Sequence, residues 1–178
     1  MKNCIVLIGP PCSGKSTIGT LLANKLEYSY VSSGDIARAM AKEDGTEKQL
    51  AAGNMAPEDK MRKIIGNHLK SNRDIVLDGF PRFNDQLDWM MNRFMDRRFV
   101  FLFVDVPTLT LFNRADSRNR DDDHVLGNRL DYYKKNTVPM INRIKDSDAF
   151  NMIYVVNDHI PSVTVMNIER CLYGRGWV

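Results

Sequence analysis

The most constraining feature of this chain is the segment from Gly9 to Ser16, which reads Gly-Pro-Pro-Cys-Ser-Gly-Lys-Ser. It fits the pattern G-x-x-x-x-G-K-S, in which a glycine-rich loop cradles phosphate groups. Residues 4–8 form a continuous apolar run, which is typical of a strand buried on both faces. After the loop, apolar residues recur at helical spacing from Ile18 to Leu26. Strand, loop and helix in this order are the context that makes the pattern specific.

The residues of the loop indicate what it can do. Gly9 and Gly14 let the backbone bend tightly and approach a phosphate group. Successive backbone N–H groups and the start of the helix then point at the anion. Lys15 can reach the outer phosphates, and the hydroxyl of Ser16 or Thr17 can meet Mg²⁺. The alternative is an ordinary turn with a solvent-facing lysine, and the flanking strand and helix argue against it.

Apolar segments of two kinds alternate along the chain. Short β-rich runs cover residues 5–8, 28–31, 75–77, 99–104 and 153–156. Amphipathic helical patterns separate these runs, and the longest covers residues 125–144. Strands that alternate with helices predict a three-layer α/β fold, with a five-stranded parallel sheet flanked by helices. Because ligands of such sheets bind beyond the carboxyl ends of the strands, we expect the site just after residues 8, 32, 78 and 104.

Two polar stretches interrupt this alternation. Residues 41–55 contain two glycines, and residues 116–123 are almost wholly charged or polar. Such runs are usually solvated loops. Both also lie near the expected ligand end of the sheet, so a role as mobile flaps stays open.

Length and composition limit the class of protein. The 178 residues suffice for one well-filled core, so we predict a single domain, residues 1–178. The net charge of +3 is too small to predict binding of nucleic acid. No apolar run approaches the ~18–20 residues that span a bilayer, and the first strand begins too early for a targeting peptide. Cys4, Cys12 and Cys171 predict neither disulfides nor a zinc site, and they favour a cytoplasmic location.

Asp78 is the second candidate for chemistry. It ends the third apolar run and precedes Gly79-Phe80-Pro81-Arg82. A carboxylate at the end of a strand beside a phosphate loop can hold Mg²⁺, directly or through water. The alternative is an aspartate that merely begins a turn before glycine. The nearby Arg82 favours the metal role.

Four separated segments make the chain similar to the adenylate kinase family of nucleoside monophosphate kinases. They are the loop at residues 9–17, Ser32-Ser-Gly-Asp-Ile-Ala-Arg38, Leu77-Asp-Gly-Phe-Pro-Arg82, and the stretch from Arg114 to Pro139. The segments occur in the order of that family, and the similarity extends over nearly the whole chain. The resemblance implies a P-loop NTPase fold and transfer of the γ-phosphoryl group of Mg²⁺·ATP to AMP, giving two ADP.

The resemblance also implies roles for individual residues. ATP would be bound by Gly9, Pro10, Pro11, Cys12, Ser13, Gly14, Lys15, Ser16, Thr17, Arg114, His159 and Ile160. AMP would be bound by Ser33, Gly34, Arg38, Ala56, Gly79, Arg82 and Gln86. Mg²⁺ would be held by Ser16 and Asp78, directly or through water. Catalysis would depend on the cations Lys15, Arg82, Arg114, Arg120 and Arg129.

Two segments would surround the substrates. Residues 34–62 match the segment that binds the monophosphate, and residues 114–124 match a short lid that closes over the phosphates. Arg118 competes with Arg120 for the role of the lid arginine. A planar, permanently charged guanidinium suits phosphate oxygens, which agrees with the number of arginines. We interpret Arg73, Arg97 and Arg98 as surface charges, and we expect a monomer whose partners are the two nucleotides.

The base of the acceptor is the least constrained part of this prediction. Gln86 favours AMP, because its amide can pair with the edge of adenine through one donor and one acceptor. Ser33 stands where adenylate kinases usually have threonine, and the acceptor segment is short. A UMP/CMP kinase, a small-metabolite kinase of the same fold and a nucleotide-binding regulator therefore remain alternatives. For Gln86 itself, the alternative is that it opens a helix and faces solvent.

Overall fold

A five-stranded parallel sheet forms the centre of the computed structural model, which describes residues 1–118 and 126–178. The strands are β1 (Lys2–Ile8), β2 (Ser29–Ser32), β3 (Ile75–Asp78), β4 (Arg97–Asp105) and β5 (Asn151–Val156). Their order across the sheet is β2-β3-β1-β4-β5, and every neighbouring pair is parallel. The predicted fold class and the positions of all five strands are confirmed.

Helices cover both faces of this sheet. They are α1 (Lys15–Leu26), α2 (Ser33–Asp44), α3 (Glu47–Ala51), α4 (Glu58–Leu69), α5 (Asn84–Arg93), α6 (Thr108–Arg118), α7 (Leu126–Tyr132), α8 (Val138–Lys145) and α9 (Pro161–Gly174). A π-helical turn, Tyr133–Thr137, joins α7 to α8 within the predicted helix 125–144. The polar stretch 41–55 is not all loop, because it contains the end of α2 and all of α3. No described helix is long and apolar enough to cross a membrane.

The first strand shows why the apolar run is continuous. Cys4, Val6 and Ile8 pack on one face of the sheet, in a cluster with side chains of α2, α4, α5 and α8. Ile5 and Leu7 pack on the other face, against α1 and α9. Because both faces are covered, a polar residue at any of these positions would be buried without water. The strand therefore carries no polar alternation.

The interpretation of Arg97 as a surface charge is wrong. Arg97 begins β4 and is only 5% exposed. Its guanidinium donates to the carbonyl oxygens of Leu69, Ser71 and Arg73, between the end of α4 and β3. Carbonyls at the end of a helix lack intrahelical donors, and a forked guanidinium can satisfy several at once. Arg98 and Arg73 are exposed, as predicted.

The carboxyl ends of the strands lie at one edge of the sheet. Leu7 of β1 and Ser32 of β2 are both in register with Asp78, the last residue of β3. The segments after β1, β2 and β3 therefore begin side by side. This edge is where the sequence predicts the site.

Candidate active site

The loop after β1 is shaped by two glycines that no other residue can replace without strain. Gly9 has φ 149° and Gly14 has φ 89°, both in the region that favours glycine. A Cβ on Gly9 would lie 2.2 Å from the carbonyl oxygen of Val104. A Cβ on Gly14 would lie 2.5 Å from Nδ2 of Asn157. Residues at the ends of the neighbouring strands thus lie so close to the loop that only glycine, which has no side chain, fits at these two positions.

Lys15 begins α1 and lies against this loop. Its Nζ donates to the carbonyl oxygens of Gly9 and Pro10, at 3.0 and 2.6 Å, and to Oγ of Ser13 at 3.3 Å. Burial lowers the pKa of Lys15 to about 8, although the negative charge of Asp78 partly opposes this shift. All three hydrogen-bond partners of the ammonium are neutral oxygens. An anion would therefore attract Lys15 more strongly than these partners do.

Ser16 and Asp78 bring two oxygen ligands together beside the lysine. Oγ of Ser16 donates to Oδ2 of Asp78 at 2.8 Å, and Asp78 is only 4% exposed. The hydroxyl of Tyr30, on β2, donates to the same oxygen at 2.8 Å. Burial and the charge of Asp78 raise the pKa of Tyr30, so this phenol keeps its proton. Tyr30 was not predicted as a site residue, because the sequence shows only a tyrosine inside the weak β-rich run 28–31.

Arg82, four residues after Asp78, forms the centre of a second group. Its Nε donates to the carbonyl oxygen of Gly79 at 2.8 Å, and its Nη2 donates to Oγ of Ser33 at 3.3 Å. Ser33 in turn donates to the Gly79 carbonyl oxygen at 2.7 Å. The structure therefore joins three residues of the predicted acceptor set. Burial, with the positive charge of Arg129 second, lowers the pKa of Arg82.

Gln86, on the first turns of α5, belongs to the same group. Its Oε1 accepts from the backbone N–H of Arg82 at 2.7 Å, and its Nε2 donates to Oε2 of Glu58 at 2.8 Å. Gln86 is only 2% exposed, so the alternative of a solvent-facing side chain is wrong. Glu58 was missed, because a glutamate at the start of a helix normally indicates only favourable helix electrostatics.

The remaining acceptor residues lie around this group. Arg38 forms an ion pair with Asp35, and both side chains are largely exposed. The Arg38 guanidinium approaches Gly34, since a Cβ there would lie 3.4 Å from Nη1. Ala56 is half-buried and packs against the core beside α4. A phosphate bound by Arg38 would have to compete only with an exposed carboxylate.

Arg114 holds the phosphate loop against the end of β5. Its Nη1 donates to the carbonyl oxygen of Ser13 at 3.0 Å, and its Nη2 donates to that of Asn157 at 2.9 Å. Nδ2 of the buried Asn157 also donates to the Ser13 carbonyl oxygen, at 2.7 Å. The sequence predicted His159 and Ile160 for the ATP site, but it did not predict this role for the side chain of Asn157. His159 and Ile160 follow it, and Ile160 is 70% exposed.

The lid is the part of the prediction that the structure covers least. Arg129, on α7, is close enough that its charge lowers the pKa of both Lys15 and Arg82. The prediction for Arg120 and the choice between Arg120 and Arg118 lie outside the described residues and side chains. Cys12, inside the phosphate loop, is buried and has φ 61°, a value that L residues rarely adopt.

Comparisons with known proteins show which family the chain resembles. The adenylate kinase family model matches residues 7–149. The adenylate kinase of Nocardia farcinica is 32% identical, and the match covers 97% of this chain and 98% of that protein. The adenylate kinase of Encephalitozoon cuniculi is 33% identical over 77% of this chain and 80% of its own. UMP-CMP kinase 2 of Caenorhabditis elegans is 30% identical over 83% of this chain and 85% of its own.

Proposed function

The chain belongs to the adenylate kinase family, and we propose that it transfers the γ-phosphoryl group of ATP reversibly to AMP. One observation carries the proposal. Ser16, next to Lys15 in the phosphate loop, donates to Asp78, and Arg82 of the second group donates to the carbonyl oxygen of the following residue, Gly79. The two groups of cations that would bind phosphates therefore lie side by side at the end of β3. That arrangement suits a reaction in which a phosphoryl group passes between two bound nucleotides.

The phosphate loop would bind the donor. The ammonium of Lys15 would exchange its neutral oxygen partners for phosphate oxygens, and the N–H groups at the start of α1 would face the same anion. Arg114 and Asn157 would keep the loop in its bent conformation by holding the Ser13 carbonyl oxygen. His159 and Ile160 would border the adenine of ATP through their backbone. Pro10, Pro11, Cys12 and Thr17 complete this proposed donor site.

Ser16 and Asp78 fit Mg²⁺, because this ion prefers oxygen ligands and their two oxygens lie 2.8 Å apart. Bound there, the ion would neutralise part of the phosphate charge. Ser16 and Tyr30 donate to the same oxygen of Asp78, which holds the carboxylate in one orientation. The protein itself thus supplies an orientated acidic group where a metal–phosphate complex would need one.

The second group would bind the acceptor. Arg82 and Arg38 would grip the α-phosphate of AMP, while Gln86 would contact the base. Residues 34–62 would form the acceptor segment, since they run from α2 to the first turns of α4 and include Arg38, Ala56 and Glu58. Ser33, Gly34 and Gly79 would border the base by small side chains and backbone atoms. The Ser33 hydroxyl and the Gly79 carbonyl oxygen already bond to each other, which fixes their positions.

Catalysis would then depend on charge and on the exclusion of water. Lys15, Arg82, Arg114, Arg120 and Arg129 would stabilise the transferring group, which needs little covalent chemistry from the protein. Closure of residues 114–124 over the phosphates would exclude water, which competes with AMP as an acceptor.

The C. elegans relative favours a second acceptor class, because its name assigns it to UMP and CMP. A coupled assay that offers Mg²⁺·ATP with AMP, CMP, UMP or GMP separates the candidates. We expect the largest kcat/KM for AMP. A larger value for CMP or UMP would reject the acceptor and keep the kinase, whereas nucleotide binding without turnover of any acceptor would reject the enzyme.

The cellular setting and the oligomeric state complete the proposal. No disulfide joins the described cysteines, Cys4, Cys12 and Cys171, and the absence of disulfides is usual in a reducing compartment, which supports a cytoplasmic location. One chain would build both nucleotide sites, so we propose that a monomer is active. Light scattering during size-exclusion chromatography would test this.

A further inference from the structure

The amide of Gln86 is held from two sides by partners of opposite kind. Its Oε1 accepts from the backbone N–H of Arg82 at 2.7 Å, and its Nε2 donates to the Glu58 carboxylate at 2.8 Å. A backbone N–H can only donate and a carboxylate can only accept. The chemistry of the two partners therefore fixes which end of the amide is oxygen and which is nitrogen.

The Glu58 carboxylate is itself held in the position where it accepts this hydrogen bond from Gln86. Nε of Arg62, one turn further along α4, donates to its other oxygen at 2.5 Å. The Arg62 guanidinium also lies 5.8 Å from the ring centroid of Trp89. Glu58 stands in the first turn of α4, where the helix dipole favours negative charge. The carboxylate is thus held both by an ion pair and by the start of its own helix.

A freely rotating glutamine could not distinguish two of the purine nucleotides. The edge of adenine offers a donor at N6 and an acceptor at N1. Hypoxanthine has the same shape and the opposite pattern, an acceptor at O6 and a donor at N1. A half-turn of a glutamine amide exchanges its own donor and acceptor, so one side chain can pair with either base. Gln86 uses two of its four hydrogen-bonding positions on Arg82 and Glu58, which leaves one N–H and one oxygen lone pair.

We propose that Glu58 is a positioning residue that makes the acceptor site selective for AMP over IMP. It does so by holding the Gln86 amide in a single orientation. A half-turn would place the amide oxygen against the Glu58 carboxylate and the amide N–H₂ against the Arg82 N–H. Both contacts would then be repulsive, and the buried amide of Gln86 would lose both of its hydrogen bonds. This inference rests on the proposed function, in which Gln86 contacts the acceptor base.

The test compares the wild-type protein with Glu58→Gln, using AMP and IMP as acceptors at fixed Mg²⁺·ATP. Glutamine has the size of glutamate but offers both a donor and an acceptor, so it tolerates either orientation of Gln86. We expect the ratio of kcat/KM for AMP to that for IMP to fall by about tenfold or more, which is the loss of one charged hydrogen bond. The Arg82 N–H remains, so some selectivity for AMP persists. The KM for Mg²⁺·ATP should not change.

Asp59→Asn is the matched control. Asp59 stands next to Glu58 in the same turn of α4, is exposed, and carries the same charge. Its replacement should leave the AMP:IMP ratio unchanged. An equal change in both variants would overturn the inference, since it would point to long-range charge instead of the hydrogen bond.

The outcome also separates this inference from the proposed function. If wild type phosphorylates AMP and Glu58→Gln keeps the same AMP:IMP ratio, even with lower rates for both, Glu58 has only a structural role and the inference is overturned alone. If wild type phosphorylates neither nucleotide, the proposed function is overturned and this inference with it.

Discussion

Replacement of Arg97 by lysine should lower the free energy of unfolding by about 3 kcal/mol without changing catalysis. The guanidinium donates to the carbonyl oxygens of Leu69, Ser71 and Arg73, and it has a fourth, longer contact of 3.5 Å with that of Asn3. A lysine ammonium keeps the charge but cannot reproduce this planar fork, so we expect it to retain one of the three shorter bonds. Two lost hydrogen bonds to a charged group, at ~1.5 kcal/mol each, give the expected value.

The measurement is equilibrium unfolding in urea, followed by circular dichroism. With a slope of about 2 kcal/mol/M, the midpoint should fall by about 1.5 M. Catalysis should be unaffected at temperatures where the variant is folded. Arg97 begins β4, whereas the phosphate loop lies beyond the carboxyl ends of the strands. The eight steps along this nine-residue strand, at about 3.3 Å each, place its two ends about 26 Å apart.

Arg98→Lys is the control. Arg98 is exposed, donates to the carbonyl oxygen of Gly176 at 3.2 Å, and lies 4.4 Å from the ring centroid of Trp177. Loss of such a contact should cost less than about 1 kcal/mol. If both substitutions shift the midpoint equally, or if Arg97→Lys lowers kcat in the folded protein, the assignment of Arg97 to the stability of the fold is wrong.

Three further predictions concern the site itself. Lys15→Ala should keep the fold and lower kcat by ~10²–10³, as measured in the coupled assay, and near-normal turnover would reject the phosphate-loop assignment. Because burial lowers the pKa of Lys15 to about 8, affinity for a non-hydrolysable ATP analogue should fall as pH rises through that value, by up to about tenfold per unit. An affinity that does not change with pH would contradict this lowered pKa. Because the pKa of Lys15 is lower in the folded protein, the unfolded chain binds more protons above pH 8, so the contribution of Lys15 to the free energy of unfolding rises with pH there. Arg120→Ala should lower kcat more than it weakens binding of AMP, whereas Arg82→Ala should impair both. Identical results for the two variants in steady-state kinetics and AMP titration would reject this division of roles. A larger loss of kcat in Arg118→Ala than in Arg120→Ala would show that Arg118 is the lid arginine.

The sheet could be predicted from the sequence because its signals are local. Each strand is a short apolar run that ends at a polar or glycine-containing turn, and the phosphate loop follows the first run directly. Parallel pairing then places Asp78 and Ser32 side by side without any knowledge of packing. The helical pattern over residues 125–144 was predicted as one helix, and the π-helical turn Tyr133–Thr137 left no pattern in the sequence.

The partners of the site residues could not be predicted, because they are distant in the chain. Tyr30 reaches Asp78 across 48 positions, and Asn157 reaches Ser13 across 144. Neither belongs to a motif, and hydropathy describes both only as polar residues near the end of a strand. The burial of Arg97 could not be predicted for the same reason. In the sequence it is an arginine before an apolar run, like many surface charges, and its partner Leu69 at the end of α4 is distant in the chain.

The charges of the proposed site explain why two substrates would complete it. Burial lowers the pKa values of Lys15 and Arg82, and neighbouring positive charges add to this, those of Arg82 and Arg129 at Lys15 and those of Arg129 and Arg38 at Arg82. These cations therefore repel one another, and the buried carboxylate of Asp78 opposes the shift at both residues. A single phosphate beside Lys15 would relieve only part of this repulsion, because Arg82 and Arg38 belong to the other group. Two polyphosphates, one on each side, would neutralise both groups, and their own mutual repulsion would be screened by the cations between them. The same electrostatics that destabilise the isolated site therefore favour the state in which donor and acceptor are bound together.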